Sequence, residues 1–386
     1  MSSMIQPQLL RRMTMRRVLE TLQGCGPCTR ADLTRISGIS APTVSKAVWA
    51  LLESGLLEEG DSLQGAPGRP GTPVRLARDR AQVIGVILDA ARCQILSAGI
   101  DGTIRQDSQI DFPTPATYAA LLDQIEGVAR QLIARKGVKT LGLGISTPGL
   151  INVRTGRAML SPNLHATDGH SPDRDLKHRL NLECVMYQET QALCLGERMY
   201  RAPETYDNFV MLEISTGLGV GVVMDGRLIG GHSGLAGELG HVTVALDGPL
   251  CGCGNRGCME TLATDASLTR AISTYLGRDV VMDEVKRLIS EGNQFTQRAL
   301  DSVCEYLAIA IGAAINLWNP ATLFVHGRIF DVREGLFATI CDLARRRTLA
   351  PSFADCQILR ARWSKQHGAI AGAILHLFDS HGPERS

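Results

Sequence analysis

Residues 240–260 read GHVTVALDGPLCGCGNRGCME, with three cysteines inside eight positions and a histidine ten residues before the first of them. The pattern is H-x9-C-x-C-x4-C, and its four candidate metal ligands are His241, Cys251, Cys253 and Cys258. Thiolates and an imidazole are the ligands that Zn²⁺ takes in a closed tetrahedral site. The glycines between the cysteines allow the backbone to turn tightly around an ion. The pattern therefore predicts one structural Zn²⁺ per chain, with no open position for catalysis.

Two other interpretations of this stretch are weaker. A redox pair needs a C-x-x-C spacing, which residues 240–260 lack. A disulfide framework conflicts with the expected compartment. The N-terminus MSSMIQPQLLRRMTMRRVLE has no long apolar core and no cleavage site, so we expect no secretion signal and a reducing, cytoplasmic location. No run of eighteen apolar residues occurs, so no membrane span is expected.

The composition is that of a soluble globular protein of two or three domains. The chain has 386 residues, of which 44% are hydrophobic and 20% charged. Its net charge of +1 hides an asymmetry, since residues 1–80 carry eleven Lys and Arg against seven Asp and Glu. A basic N-terminal domain on a mildly acidic body favours an anionic partner such as nucleic acid.

Residues 29–60, TRADLTRISGISAPTVSKAVWALLESGLLEEG, predict two helices joined by a tight turn at Gly38. Leu33 and Ile36 give the first helix an apolar face, and Ser40 is a candidate N-cap for the second. The second helix is expected to bury its apolar residues, which recur at helical spacing. These are Val44, Val48, Leu51 and Leu52. The pattern is typical of a helix-turn-helix.

The outer face of the second helix is small or polar, which suits close entry into a major groove of double-stranded DNA. Its candidate DNA-contacting residues are Ser40, Ala41, Thr43, Ser45 and Lys46. The Gly/Pro-rich stretch GDSLQGAPGRPGTPVRLAR, residues 60–78, predicts a hairpin or wing tip. Arg69 in this stretch suits insertion into a narrow minor groove.

The stretch GCGPC, residues 24–28, contains a C-x-x-C formed by Cys25 and Cys28. Such spacing before a helix is found in redox dithiols. No strand leads into it and no second pair follows, so a loop between two helices of the DNA-binding domain is the favoured interpretation.

The body alternates strands and helices, which favours an α/β fold in two lobes with a cleft. Helices are predicted at about 116–135, 189–200, 265–276, 295–318 and 333–346. We expect a winged helix-turn-helix domain over 1–78 and a first α/β lobe over 79–196, completed by 367–386. The second lobe, with the zinc site, is expected over 197–366.

Three motifs together resemble the ROK family (repressors, open reading frames and sugar kinases). They are GGHSGLAGELGH at 230–241, CGCGNRGC at 251–258 and the Met-Glu at 259–260. The resemblance covers almost the whole chain, including the N-terminal helix-turn-helix of the repressor branch. It implies a two-lobed actin-like fold of the sugar-kinase and ribonuclease H-like type.

The resemblance also implies a sugar site. Its candidate residues are Asn163, Gln188, Glu189, Glu238, His241 and Glu260. Carboxylates accept hydrogen bonds from sugar hydroxyls, and an imidazole bound to zinc keeps its other ring nitrogen free to reach a ligand.

The chain departs from the kinases of this family at three places, and we therefore expect no enzyme. In GVILDAAR, residues 85–92, Ile87 stands where a catalytic and metal-binding Asp is usual, and Asp89-Ala90-Ala91 replaces Gly-Gly-Thr. Gln188-Glu189 replaces an Asn-Asp whose Asp is the base. LFVHGRIF, residues 323–330, has one glycine where two are usual near adenosine. Side chains in place of these glycines hinder the approach of phosphates to the backbone.

The resemblance thus points to a sugar-responsive DNA-binding regulator, most simply a repressor of carbohydrate-metabolism genes. A homodimer or homotetramer would place recognition helices in successive major grooves of a palindromic operator. A sugar in the cleft would then change the spacing of the DNA-binding domains. Two alternatives stay open: a sugar kinase with residual ATP-dependent activity, and a repressor controlled by a protein partner.

Overall fold

The computed structural model describes residues 5–60, 72–162, 164–201 and 206–380, with side chains from residue 9 onward. Two predicted site residues, Arg69 and Asn163, lie outside these ranges, as does most of the predicted wing tip.

The described elements follow the chain in order. The N-terminal part contains α1 (Ile5–Cys25), α2 (Arg30–Ser37), α3 (Ala41–Ser54), β1 (Leu57–Glu59) and β2 (Val74–Leu76). The next part contains β3 (Ala81–Ile87), β4 (Arg92–Ala98), β5 (Ile110–Pro113), α4 (Tyr118–Ile133), β6 (Lys139–Thr147), β7 (Leu150–Asn152), β8 (Arg157–Leu160), α5 (Pro172–Leu180), β9 (Cys184–Gln188) and α6 (Glu189–Tyr200). The last part contains β10 (Phe209–Ile214), β11 (Leu218–Met224), β12 (Arg227–Leu228), α7 (Asp265–Leu276), α8 (Met282–Ser290), α9 (Gln294–Trp318), β13 (Thr322–His326), α10 (Leu336–Arg345), α11 (Ala350–Asp355), β14 (Gln357–Arg360) and α12 (Lys365–Ser380).

These elements form two compact units. The first unit comprises Met1–Ile151, Gly156–Thr205 and Trp363–Ser386, and the second comprises Asn152–Thr155 and Tyr206–Arg362. The N-terminal helices thus belong to the same unit as the first five-stranded sheet. The five predicted helices of the body correspond to α4, α6, α7, α9 and α10.

The predicted helix-turn-helix is present as α2 and α3. Thr29 caps α2 in a reciprocal arrangement with Asp32, and Gly38 has φ of +73° between the two helices. A φ in this range favours glycine, so the position of the turn follows from the sequence. Val44, Val48 and Leu51 of α3 are fully buried, as their spacing predicts.

Three details of this region differ from the expectation. Ile36 is 46% exposed, and only Leu33 of α2 is fully buried. Leu52 is half-buried. Ser40 stands at the N-cap of α3, but its hydroxyl bonds the Thr43 hydroxyl at 2.8 Å and caps no backbone N–H.

The wing strands β1 and β2 pair in antiparallel register, with Glu58 opposite Arg75. The buried Glu58 carboxylate accepts from the Arg75 guanidinium at 2.8 Å. At the other end of the chain, Asp379 of α12 pairs with Arg16 of α1 at 2.8 Å. This contact joins the first helix of the chain to its last within the first unit.

The sheet of the first unit has the strand order β5-β4-β3-β6-β9. The hairpin β3–β4 is antiparallel, whereas β3–β6 and β6–β9 are parallel. Helix α12 packs on β3, β6 and α6. Its approach is close because a Cβ at Gly144 of β6 would overlap the carbonyl oxygen of Ala369 and lie 2.9 Å from the Ala373 nitrogen.

The sheet of the second unit has the strand order β12-β11-β10-β13-β14. Helix α9 is its core helix, with Leu307, Ile311 and Ile315 fully buried. Within the described residues it is also the one helix long and apolar enough to cross a membrane. Since more than half of its apolar window is buried in the protein, this composition reflects a core position.

We expect Gly144→Ala to lower the free energy of unfolding by about 1–3 kcal/mol, because the added methyl overlaps backbone that cannot move independently. Gly127 in α4 is the matched control, since a Cβ there meets nothing within 4 Å. Gly127→Ala should raise the same quantity by up to about 1 kcal/mol. Chemical denaturation of both variants measures the effect, and equal stabilities would contradict the close packing of α12.

Candidate metal cluster and effector site

The four predicted metal ligands come together in the second unit. One ligand atom from each of His241, Cys251, Cys253 and Cys258 lies within 4.8 Å of the others. The Cys251 sulfur is 3.6 Å from His241 Nδ1, and the Cys253 and Cys258 sulfurs are 3.7 Å apart. The structure thus contains a compact His/Cys cluster able to hold a metal ion.

The loop that carries the cysteines is closed by its own backbone. Thr243 bridges Cys258, and Leu250 bridges Arg256. Gly257 has φ of +64°, and a Cβ there would overlap the carbonyl oxygen of Ala245. Glycine is therefore required at this position both by conformation and by space.

The histidine and the first glutamate are placed by two further glycines. A Cβ at Gly237 would overlap the carbonyl oxygen of Val220, and a Cβ at Gly240 would overlap that of Leu218. Both acceptors belong to β11, so the segment between the two glycines lies directly on this strand. Glu238 and His241 consequently project from a segment that the sheet holds in place.

Two carboxylates flank His241 on opposite sides of its ring. Glu238 Oε2 is 3.7 Å from Nε2, and Glu260 Oε1 is 3.7 Å from Nδ1. Glu260 Oε1 also lies 2.9 Å from the Cys251 sulfur. Nδ1 therefore faces the cysteine cluster, whereas Nε2 faces Glu238. The contact of Glu260 with a candidate metal ligand was not expected from the sequence.

The remaining predicted sugar contacts belong to the first unit. Gln188 is the buried last residue of β9, and Glu189 begins α6. Glu189 forms an ion pair with Lys365 of α12. Sequence reasoning missed Lys365, because 176 residues separate it from its partner and no local pattern joins them.

The predicted DNA-contacting residues of the helix-turn-helix lie at the N-cap and in the first turns of α3. Those that the structure describes, Ser40, Ala41, Thr43, Ser45 and Lys46, are all exposed. A groove of about 670 Å³ runs beside the last three of these. Arg11 and Thr14 of α1 and the 61% exposed Trp49 also line this groove. No sequence pattern indicated these three residues.

The turn at Asp89-Ala90-Ala91 is closed by its own hydrogen bonds. Ile87 is buried at the end of β3. The Asp89 carboxylate accepts from the Ala91 N–H at 3.1 Å, and the Asp89 carbonyl accepts from the Thr114 hydroxyl at 2.6 Å. The carboxylate thus occupies a backbone N–H of this turn, which is the kind of donor that binds phosphate.

The buried Glu213 and Asp265 form an acidic pair in the second unit, near the ends of strands β10 and β13. His326 Nδ1 is 4.0 Å from the buried Glu213 carboxylate. Asp265 accepts from the Ile329 N–H at 3.1 Å, and burial together with the Glu213 charge raises the pKa of Asp265 to about 7. Arg328 is engaged with Asp283 at 2.6 Å. His326 and Arg328 are the sequence neighbours of Gly327, the single glycine of the LFVHGRIF stretch.

Several known proteins resemble this chain. It is 27% identical over 308 residues to the xylose repressor of Bacillus subtilis (strain 168), with 79% of each chain covered. It superposes on the crystal structure of a ROK family transcriptional regulator, a homologue of the E. coli MLC protein, with a TM-score of 0.81 and 23% identity over 96% of this chain and 98% of that one. It also matches the ROK hexokinase of Thermus thermophilus, with a TM-score of 0.65 and 26% identity over 77% of this chain and 99% of the hexokinase.

Two family models also match. Residues 14–58 match the winged helix-turn-helix DNA-binding model, and this range contains α2, α3 and the start of β1. Residues 84–379 match the ROK family model, and this range contains the His/Cys cluster and both five-stranded sheets except for the first three residues of β3. The chain belongs to the ROK family and carries an N-terminal winged helix-turn-helix DNA-binding domain.

Proposed function

We propose that this protein is a sugar-responsive transcriptional repressor of the cytoplasm. The observation that carries the proposal is that one chain joins an exposed polar recognition helix to a ROK body with Glu238 and Glu260 beside the imidazole of His241. The xylose repressor among its relatives supports the same assignment. The regulated genes would be those of carbohydrate metabolism.

We propose that α3 enters the major groove of an operator. Its buried side is apolar, and its outward side offers hydroxyl donors and the Lys46 ammonium. Such a face bonds base edges and phosphates without displacing the helix. Two or four copies of the chain would read a palindromic site, because each copy supplies one recognition helix.

Lys46→Ala should weaken binding to duplexes that the wild-type protein selects from a random pool. We expect the binding free energy to fall by about 1 kcal/mol or more, which is about a fivefold loss of affinity. If Lys46 contacts a phosphate, the slope of log affinity against log salt concentration should also become shallower by about 0.9. Lys136→Ala, at an exposed lysine outside the DNA-binding domain, is the control and should change neither the affinity nor the salt slope. Titrations at several salt concentrations measure both quantities, and identical curves for the two variants would contradict this role of α3.

We propose that the His/Cys cluster binds one structural Zn²⁺. Three thiolates and one imidazole complete a tetrahedral set without an open position. Zinc bound there would orient the imidazole of His241 through Nδ1, which leaves Nε2 and Glu238 on the ligand side. The sugar would be recognised by side chains of the protein, with the carboxylates of Glu238 and Glu260 accepting hydrogen bonds from vicinal hydroxyls.

Cys258→Ser should remove the bound zinc and lower the midpoint of thermal unfolding by about 6 °C or more, since a lost metal removes at least about 3 kcal/mol. Cys341→Ser, at a half-buried cysteine of α10 in the same unit, should keep one zinc per chain and the wild-type midpoint within about 2 °C. Metal analysis and unfolding with and without chelator check both. A zinc-free wild-type protein of unchanged stability would overturn the metal assignment.

The sugar pocket is supported most directly by Glu238. Unlike Glu260, it faces the ring nitrogen turned away from the cysteines, so its removal should spare the metal. Glu189, with Lys365 beside it, and Gln188 are proposed contacts from the first unit, and so is Asn163.

A sugar that binds the folded protein must raise its unfolding midpoint in a saturable way, by about 2.7 kcal/mol of stability at one hundred times Kd. We expect this from one member of a panel of monosaccharides that includes xylose, N-acetylated sugars and sugar phosphates. Glu238→Ala should abolish the shift and keep the zinc. Asp247→Ala, at an exposed acidic residue of the cysteine-bearing loop, should retain both the sugar-induced shift and the zinc.

The same sugar should release the protein from its operator, because a ligand that prefers the free form must weaken DNA binding by linkage. Absence of a shift with every sugar would favour control by a protein partner. ATP consumption that depends on the sugar would restore the kinase alternative, against which the buried Ile87 and the closed turn at Asp89 argue.

A further inference from the structure

The turn between α1 and α2 holds two thiols that the proposed function does not use. Cys25 ends α1 and is exposed, whereas Cys28 is buried. Their sulfur atoms are 3.6 Å apart. Within the described residues, which include all eleven cysteines, sulfurs of different residues approach each other only here and in the His/Cys cluster.

The backbone holds the two sulfurs together. Gly26, with φ of +73°, reverses the chain directly after α1. Cys28 then pairs with Val74 of β2 through two hydrogen bonds, its N–H donating at 3.1 Å and its carbonyl accepting at 2.9 Å. Thr29 follows as the N-cap of α2. Cys28 is thus fixed by a strand on one side and a capped helix on the other.

The two thiols are chemically unequal. Burial, together with the neighbouring Cys25 thiol, raises the pKa of Cys28 to about 12. Cys28 is therefore held as a thiol and is shielded from reagents. The exposed Cys25 is the sulfur that an external molecule can reach first. One accessible and one shielded thiol at a C-x-x-C spacing is the arrangement of a dithiol that exchanges with disulfides.

Space for a small reagent exists beside the turn. A pocket of about 390 Å³ within the first unit is lined by Gly26 and Pro27, the two residues between the cysteines. Arg75, Arg78 and Tyr200 line the same pocket. Because Cys25 is itself exposed, a small peptide can reach its sulfur without any unfolding of the helices.

We propose that Cys25 and Cys28 form a reversible internal disulfide by exchange with a low-molecular-weight disulfide such as glutathione disulfide. The Cys25 thiolate attacks one sulfur of the reagent, which breaks the reagent's S–S bond and releases one glutathione thiolate. Cys28 then attacks the Cys25 sulfur, forms the internal S–S bond and releases the second glutathione. The protons of the two cysteines pass to the two glutathiones, so the protein dithiol is oxidised by two electrons and one glutathione disulfide is reduced.

The test uses the full chain in buffers of increasing ratio of glutathione disulfide to glutathione, followed by acid quenching and alkylation. Trypsin releases residues 18–30, VLETLQGCGPCTR, which contain both cysteines and no other. Mass spectrometry of this peptide separates two alkylated thiols, one bound glutathione and an internal disulfide. Zinc content is followed in the same samples, so oxidation of the His/Cys cluster is recognised separately.

In the wild-type protein we expect the internal disulfide to replace the free thiols as the ratio rises, with little bound glutathione. Cys28→Val, which keeps an apolar side chain at a buried position, should instead accumulate glutathione on Cys25 because no second thiol releases it. Cys25→Ser, a change at an exposed position, should leave Cys28 unmodified.

Two results would overturn the proposal. One is a wild-type peptide that keeps both thiols free at every ratio. The other is a wild-type peptide that accumulates bound glutathione without forming the internal disulfide, since Cys28 would then take no part. The wild-type peptide alone decides, so the inference stays testable if Cys28→Val does not fold.

Discussion

The candidate effector site depends on one constraint, which is the direct contact between the backbone of residues 237–240 and strand β11. Gly237 and Gly240 allow this contact because any Cβ at either position would overlap a carbonyl oxygen of the strand. Glu238 and His241 are held by this contact, and the His/Cys cluster then holds the far side of the ring. Repeated glycines at this point of the sequence therefore determine the position of charged groups.

Structural features set by residues close together in the sequence could be predicted from it. Gly38 and the spacing of Val44, Val48 and Leu51 predicted the helix-turn-helix, and the close spacing of three cysteines predicted the cluster. Details that depend on competition between local bonds could not. The Ser40 hydroxyl could bond a backbone N–H or the neighbouring Thr43, and it bonds Thr43.

Contacts between residues far apart in the sequence could not be predicted from it. The ion pair of Glu189 with Lys365 arises from the packing of α12 on α6, which no periodic pattern encodes. The same holds for the two thiols of the α1–α2 turn. Their spacing was visible, but the hydrogen bonds of Cys28 to Val74 that bring the sulfurs together come from a strand 46 residues further along.

Helix α12 has a consequence for the order in which the protein is made. It covers a sheet whose first strand begins at Ala81, and its Asp379 also holds α1. Since synthesis proceeds from the N-terminus, a growing chain displays the uncovered apolar face of that sheet while the whole second unit is still being added. The second unit, built almost entirely from 206–362, has all of its strands before α12 leaves the ribosome. The unit that appears first in the sequence is thus the last to be completed, and a nascent chain has an extended period of vulnerability to aggregation.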